Sequence, residues 1–154
     1  LEQVPGDTVL LLENQAGAGT EIAGRIKELG LILKAIALPK RTGICFDTCH
    51  AFVAGYNLRS PQGIRQLLAE IDAEIGLEHL RLLHLNDSQG ERGSHLDRHA
   101  HIGEGKIGEE GFRLFLAEPR INRLAGILET PRTSADDARA NLARLRRLLP
   151  GGEQ

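Results

Sequence analysis

Four apolar runs in this chain end on side chains that could bind a metal ion or move a proton. The runs are VLLLE, GICFD, LRLLH and GILE, and they end at Glu13, Asp47, His84 and Glu129. Short continuous apolar runs predict β-strands that are covered on both faces of a parallel sheet. Because the carboxyl ends of parallel strands meet at one edge of the sheet, where α/β enzymes carry out chemistry, we expect the four side chains to converge.

Three more residues with metal-binding side chains follow two of these runs. His50 comes three residues after Asp47 in DTCH, and Asp97 and His99 lie on either side of Arg98 in DRH. In extended backbone, residues two apart point in the same direction, so Asp97 and His99 could bind one ion while Arg98 points away from it. Carboxylates mixed with imidazoles suit zinc, and also manganese or iron, and the lack of cysteine among them argues against a closed structural zinc site.

The members of this seven-residue cluster also have structural explanations. Glu13 and Glu129 could form buried salt bridges, and His50 could be a hydrogen-bonded core histidine. A buried carboxylate without a counter-charge costs free energy, which favours metal ligands at the strand ends. We therefore predict a metal centre built from all seven residues.

The glycine-rich segment HIGEGKIG follows the DRH motif. It lacks the G-x-x-x-x-G-K-[ST] pattern of a phosphate-binding loop, so its glycines are expected to allow a tight loop near the metal or the substrate. Arg98 and Lys106 could contact a phosphate, and a solvated surface role is the alternative for both. His79 and His95 are predicted at the surface. His101 is predicted to contact the metal ligands and not the metal itself.

Length and composition limit the class of protein. The 154 residues predict a single domain, residues 1–154, and a hydrophobic content of 41% is enough for a core. A net charge of −2 gives no overall basic footprint for DNA, so any attraction to phosphate must be local. Cys45 and Cys49 are predicted to be free buried thiols in a reducing compartment, the cytoplasm. The longest apolar stretch is shorter than the ~20 residues that a bilayer requires, so no membrane partner is expected.

Strand and helix signals alternate four times along the chain. Strands are predicted at residues 9–13, 43–47, 80–85 and 126–129. Helices are predicted at residues 20–37, from Pro61 onward, at 108–117, and from Ser134 or Ala135 to residue 149. Ser60 and Ser134 are the expected N-caps of the second and fourth helices.

Four consecutive strand-helix units predict a right-handed parallel α/β fold. A closed eight-stranded barrel needs about 250 residues, so we predict a TIM-barrel type fold that supplies half of the barrel. An open four-stranded parallel sheet is the alternative. In both cases the open sheet edges are expected to associate with a separate half-barrel or with another copy.

Several longer motifs carry a family resemblance. They are LLENQAGAG, FDTCHAFVAGYNL, HLNDSQGERGS, DRHAHIGEGKIG and ILETP, in this order. Together they closely resemble the carboxyl-terminal half of the endonuclease IV family of apurinic/apyrimidinic endonucleases. The resemblance implies a TIM barrel that binds up to three zinc ions and cuts double-stranded DNA on the 5′ side of an abasic site.

The resemblance also implies that the seven residues form two metal-ligand sets. The four-residue set is Glu13, Asp47, His84 and Glu129. The three-residue set is His50, Asp97 and His99. Glu13 would also bind a further zinc, and the two histidine ligands of that zinc have no counterpart in this sequence. The resemblance further implies that Glu13 and Glu129 act in catalysis. Manganese is the alternative metal.

Two other functions remain open from the sequence. A sugar isomerase or epimerase of a related barrel type would also place acidic residues, histidine and a divalent ion at strand ends. The second alternative is a non-catalytic fragment that binds metal weakly and associates with other chains. The DRH motif favours the endonuclease over the isomerase, whereas the half-barrel length favours the fragment over intact activity.

Overall fold

A computed structural model describes residue 3 and residues 5–152 of the chain, and the other residues of the predicted 1–154 domain lie outside this part. The strands are β1 (Leu10–Glu13), β2 (Thr42–Asp47), β3 (Leu80–His84), β4 (Asp87–Ser88), β5 (His99–Ala100) and β6 (Ala125–Ile127). The helices are α1 (Ile26–Ile36), α2 (Thr48–Val53), α3 (Pro61–Glu74), α4 (Gly108–Leu116) and α5 (Ala135–Leu148), with a 3₁₀ turn at Leu77–His79. No helix in the described part of the chain is long and apolar enough to cross a membrane.

The main sheet has four parallel strands in the order β1-β2-β3-β6, and helices alternate with them along the chain. This arrangement confirms the predicted parallel α/β fold. The register pairs Glu13 with Cys45 and Asp47 with His84. The strand ends therefore coincide closely, and this coincidence brings the terminal side chains to one edge.

Burial differs sharply between the inner and the outer strands. All six residues of β2 are buried, as predicted for a strand covered on both faces. The same prediction is wrong for the outer strands, since Leu10 of β1 and Ile127 of β6 are 45% and 46% exposed. The cause is that, within the described residues, each of these strands pairs on one side only.

Helix α1 begins six residues later than the sequence pattern predicts. Ala23 has a positive φ of 68° and Arg25 is extended, so the chain cannot be helical before Ile26. The Glu28 carboxylate accepts a hydrogen bond from the Arg25 amide at 3.3 Å, which fixes the start of the helix. Its end at Ile36, before the left-handed Ala37, agrees with the prediction.

The caps and the buried face of the other long helices agree with the sequence. The Ser60 hydroxyl accepts a hydrogen bond from the Gly63 amide at 3.1 Å, and Ser134 caps α5 in the same way through the Asp137 amide. Helix α3 buries the predicted residues Ile64, Leu67, Leu68 and Ile71. In the core, the rings of Phe46 and Phe115 stack with centroids 5.8 Å apart.

Three short elements are absent from the sequence-based prediction. Helix α2 has six residues and starts directly after β2. Strands β4 and β5 form a small antiparallel sheet that pairs Asp87 with Ala100 and Ser88 with His99. These elements are too short to leave a periodic pattern in the sequence. They matter because α2 carries His50 and β5 carries His99.

Candidate metal centre

The four-residue set converges at the carboxyl edge of the main sheet. One donor atom from each of Glu13, Asp47, His84 and Glu129 lies within 4.8 Å of the others. His84 Nδ1 is 2.9 Å from Glu13 Oε1 and 3.1 Å from Glu129 Oε2. Asp47 is fully buried, whereas the side chain of Glu129 is 45% exposed. The set is therefore closed at its base and open toward solvent.

Three of these side chains belong to the last residues of their strands, whereas Glu129 lies in the loop beyond its strand. Strand β6 ends at Ile127 rather than at the predicted residue 129, so Glu129 lies two residues beyond it. Its backbone amide donates a 2.8 Å hydrogen bond to Asn86 Oδ1. This bond ties the loop after β6 to the loop after β3.

The three-residue set lies beside the first one. Asp97 Oδ1 is 3.3 Å from His50 Nε2 and 3.5 Å from His99 Nε2. The two imidazole centroids are 5.5 Å apart. Donors of Asp47, His50 and His99 also fall within 4.8 Å of one another, so Asp47 links the two sets. The structure thus brings all seven predicted residues together.

Backbone carbonyls fix the ring nitrogens of the three-residue set. His50 Nδ1 is 2.9 Å from the Asn14 carbonyl oxygen, and His99 Nδ1 is 3.0 Å from the Glu129 carbonyl oxygen. Since a carbonyl can only accept, the proton of each neutral ring belongs on Nδ1 and the lone pair on Nε2. In the neutral rings both lone pairs then face Asp97, which repels them unless a proton or a metal cation lies between.

Two buried asparagines that the sequence analysis missed support Asp47. Asn14 Oδ1 accepts from the Asp47 amide at 2.8 Å, and Asn14 Nδ2 donates to the Asp47 carbonyl oxygen at 3.1 Å. Asn86 Nδ2 donates to Asp47 Oδ2 at 2.6 Å. Each asparagine follows a candidate ligand at a strand end by one or two residues, which is the signal that could have identified them.

Burial and close charges shift the pKa values at the site. Burial raises the pKa of the Asp47 carboxyl, against the opposing effect of His50 and of the hydrogen bonds from the His50 amide and Asn86. Burial alone would lower the pKa of His50, but the carboxylates of Asp47 and Asp97 outweigh it and raise this pKa.

Cys45 and Cys49 are free and buried, as predicted. Burial raises the pKa of each thiol to about 12, so both are protonated at neutral pH. The Cys49 sulfur also lies within 4.8 Å of donor atoms of Asp97 and His99. Its burial and protonation favour a packing role beside the three-residue set.

The donor set fits a divalent cation. The three carboxylates that meet the imidazole within 4.8 Å repel one another unless positive charge offsets them. His99 Nε2 is buried without a hydrogen-bond partner, and only His79 Nδ1 shares this condition within the described residues. The mixture of oxygen and nitrogen donors suits zinc or manganese.

The two predicted phosphate contacts lie at the surface. Arg98 is exposed and donates a hydrogen bond to the Asp97 carbonyl oxygen at 2.8 Å. Lys106 Nζ is 2.8 Å from Glu91 Oε1, and both side chains are largely exposed. Exposed ion pairs of this kind contribute little, so Lys106 can exchange Glu91 for another anion.

The remaining histidines agree with their predicted surroundings to different degrees. His79 was expected at the surface, but its side chain is 23% exposed. His95 belongs to an exposed loop, yet its Nδ1 lies 2.9 Å from the Ala16 carbonyl oxygen, which fixes the ring against the loop after β1. His101 Nδ1 pairs with Asn141 of α5 at 2.9 Å, so a supporting role for His101 at the metal centre stays a prediction.

Parallel strands with carboxylates and imidazoles at their carboxyl edge define a partial TIM barrel with a candidate metal centre. Residues 6–148 match the family described as the xylose isomerase-like TIM barrel, and the chain belongs to this family.

The relatives that the chain matches are named as endonucleases. The chain is 47% identical to a probable endonuclease 4 of Chloroflexus aurantiacus, over 99% of this chain and 54% of the relative. It is 49% identical to a probable endonuclease 4 of Methanoculleus marisnigri, over 92% of this chain and 50% of the relative. The crystal structure of endonuclease IV from Thermus thermophilus superimposes with a TM-score of 0.77 at 41% identity, covering 91% of this chain and 49% of that one.

The chain spans about half the length of the curated relatives that it matches. This span confirms a partial barrel. The resemblance to the endonuclease IV family, drawn from the motifs, is also confirmed.

Proposed function

We propose that this chain carries the carboxyl-terminal half of a zinc-dependent DNA-repair endonuclease that cleaves the phosphodiester bond on the 5′ side of abasic sites. The observation that carries the proposal is the convergence of Glu13, Asp47, His84 and Glu129 within 4.8 Å at the carboxyl edge of the sheet. Similarity to proteins named endonuclease 4 and endonuclease IV supports it.

In this proposal the two ligand sets would hold two zinc ions, with manganese as the alternative, and Glu13 would contribute in addition to a third ion in the complete barrel. When bound, divalent cations lower the pKa of water, offset the charge of phosphate oxygens and make an acidic pocket attractive to DNA. Glu13 and Glu129 line the open side of the four-residue set, where a phosphate could enter.

The chain's own residues orient the ligands before any substrate arrives. Asp47 Oδ1 accepts a 2.8 Å hydrogen bond from the His50 amide, while Oδ2 accepts from Asn86. The carboxylate is therefore held in one rotamer between the two sets. Such fixed ligands cost no reorganisation during reaction. Arg98 and Lys106 are the proposed contacts to the DNA backbone, since both present exposed cations on the loops after β4 and β5.

The proposal also includes association through the open sheet edges and a cellular compartment for the protein. We propose that residues 1–154 form one domain whose exposed edge strands β1 and β6 associate with a complementary half-barrel. Two buried free thiols support a reducing compartment such as the cytoplasm.

Incision of a duplex that carries one tetrahydrofuran lesion tests the function. The zinc-loaded chain, assembled with a complementary half-barrel, is expected to cut on the 5′ side of the lesion, and a chelator should abolish the cut. An undamaged duplex of the same sequence is the matched control. Turnover of aldose sugars instead of DNA would support the isomerase alternative, and inactivity on both substrates would support a non-catalytic role.

A further inference from the structure

Asp87 is a fully buried carboxylate that the sequence analysis passed over. It accepts hydrogen bonds from five backbone amides, those of Ser88, Gly103, Gly105, Ile107 and Gly108. The donor-acceptor distances range from 2.8 Å for Ser88 to 3.2 Å for Gly108. Among the ion pairs of the described residues, none involves Asp87. Backbone dipoles therefore take the place of a counter-charge.

The glycine-rich segment HIGEGKIG folds around this carboxylate. A Cβ on Gly105 would lie 2.5 Å from Asp87 Oδ1, so only glycine allows the approach. Gly103 and Gly108 have φ values of 80° and 73°, which side chains rarely adopt. From the sequence, these glycines were expected to allow a tight loop near the metal or the substrate. The structure shows that this loop is formed around a protein carboxylate.

The same contacts determine where β5 lies. Asp87 pairs with Ala100 in the register of β4 and β5, and Ser88 pairs with His99. The Ser88 carbonyl oxygen accepts a 2.7 Å hydrogen bond from the Lys106 amide, which closes the loop onto β4. Strand β5 is thus held between its partner strand and the loop that Asp87 organises.

Helix α5 anchors the same loop on its other side. Asn141 is buried, and its Oδ1 accepts from the Ile102 amide at 2.8 Å. Arg144 donates to the Ile102 carbonyl oxygen at 3.1 Å. The loop is therefore fixed at its beginning by α5 and along the rest of its length by Asp87. Movement of either anchor would be transmitted to His99, three residues before Ile102.

We propose that Asp87 is a positioning residue for the metal centre. By binding the amides of residues 103–108 it holds β5 in place, so that the side chains of His99 and Asp97 face His50 and form the three-residue set. This inference rests on the proposed metal-dependent function, and it assigns to Asp87 a part in assembling one of the two ligand sets but not the other. The four-residue set depends on Asn86 and on the strand ends instead.

Asp87→Asn tests the proposal with almost no change of shape. The amide nitrogen that replaces one oxygen is a donor, and it would face backbone donors that it cannot bind. The variant is loaded with zinc, and bound ions are counted by native mass spectrometry. We expect two ions on the unaltered chain and one on Asp87→Asn. Asp136→Asn is the control, since that side chain is 86% exposed, and it should retain both ions.

Double variants show which ion is lost. Asp97→Asn should remove the ion of the three-residue set, so Asp87→Asn with Asp97→Asn should bind one ion, as each single variant does. Combining Asp87→Asn with Glu129→Gln should remove both ions. The proposal is overturned if Asp87→Asn alone retains two ions, or if the Asp97 double variant loses more than either single variant.

Amide hydrogen exchange gives a readout that does not depend on metal. In Asp87→Asn, protection of the amides of Gly103, Gly105 and Ile107 should fall by on the order of tenfold or more, with amides of α3 unchanged. A uniform fall across the chain would mean general destabilisation and would overturn the proposal. If Asp87→Asn does not fold, Gly105→Ala perturbs the same contact from the loop side and is read by the same two assays.

The two proposals can fail separately. An unaltered chain that binds no zinc would contradict the metal centre, while local loss of amide protection in Asp87→Asn would still support the role of Asp87 in placing the loop. Normal zinc binding with unchanged ion counts in Asp87→Asn would leave the metal centre standing and refute the positioning role.

Discussion

Replacing Asn86 by alanine should damage both the stability and the metal affinity of the chain. Asn86 is fully buried and joins two of the proposed ligands, because its Nδ2 donates to Asp47 Oδ2 at 2.6 Å and its Oδ1 accepts from the Glu129 amide at 2.8 Å. Alanine would leave the fully buried Asp47 carboxylate without this donor. It would also remove the hydrogen bond that ties the Glu129 loop to the loop after β3.

The expected magnitude follows from these two contacts. A buried hydrogen bond to a charged group is worth about 1.5–3 kcal/mol, and the neutral bond to the Glu129 amide about 1 kcal/mol. The third contact, from Nδ2 to Glu129 Oε2 at 3.4 Å, is long and close to solvent, so it contributes little to stability. The free energy of unfolding should fall by about 2.5–4 kcal/mol. Loosened ligands should also lower metal affinity by roughly 10- to 100-fold.

Urea unfolding of the metal-free chain measures the first effect, and competition with a zinc chelator measures the second. Asn122→Ala is the control, since Asn122 is an exposed asparagine and its replacement should leave both quantities nearly unchanged. A loss below about 1 kcal/mol with unchanged zinc affinity would refute the reasoning, because Asp47 would then tolerate the missing donor.

Three further predictions concern the site, the core and a helix cap. Glu129→Gln should lower bound zinc by one ion in mass spectrometry, and unchanged stoichiometry would count against Glu129 as a ligand. Phe112→Ala empties a fully buried core position and should lower the free energy of unfolding in urea by about 3–5 kcal/mol, whereas a loss under about 1 kcal/mol would mean that Phe112 does not pack as described. Hydrogen bonds from the Thr133 side chain and from the amides of Ser134 and Thr133 lower the pKa of Asp137 from 3.8 to about 2. Its stabilising effect is therefore complete above pH 3.8 and lost as the pH falls through about 2. Thermal unfolding of Asp137→Asn should show a deficit at about pH 6 that shrinks near pH 2, and an equal deficit at both pH values would contradict the cap.

Three of the seven ligand-type residues could be predicted because strand ends leave a strong local signal. Apolar runs that stop at Glu13, Asp47 and His84 become parallel strands, and the topology of such strands brings their ends together. The register did not have to be known, since each of these three ligands is the last residue of its own strand.

The supporting residues could not be predicted in the same way. Asn14, Asn86 and Asp87 act through backbone and carboxylate atoms of remote segments, such as Glu129, which is 43 residues away from Asn86. In a single sequence, a polar residue after a strand is equally consistent with a solvated loop. Their roles follow only from burial and from partners that the folded chain supplies.

Helix boundaries show the same limit of local signals. Because Ile22 continues the apolar spacing of α1, the sequence predicts a longer helix. Ile22 is 67% exposed, however, and lies before the start of the helix. The positive φ of Ala23 and the Glu28 contact to Arg25 make the helix begin at Ile26, and neither leaves a distinctive sequence mark.

The central claim is that carboxylates and imidazoles from separate strands and loops share a pocket of divalent cations. Crystals of the chain grown with zinc, measured at the zinc absorption edge, test it most directly through the anomalous difference map. One peak is expected among Glu13, Asp47, His84 and Glu129, and a second among His50, Asp97 and His99. Zinc peaks found only elsewhere on the molecule, with these seven side chains arranged as described, would contradict the claim.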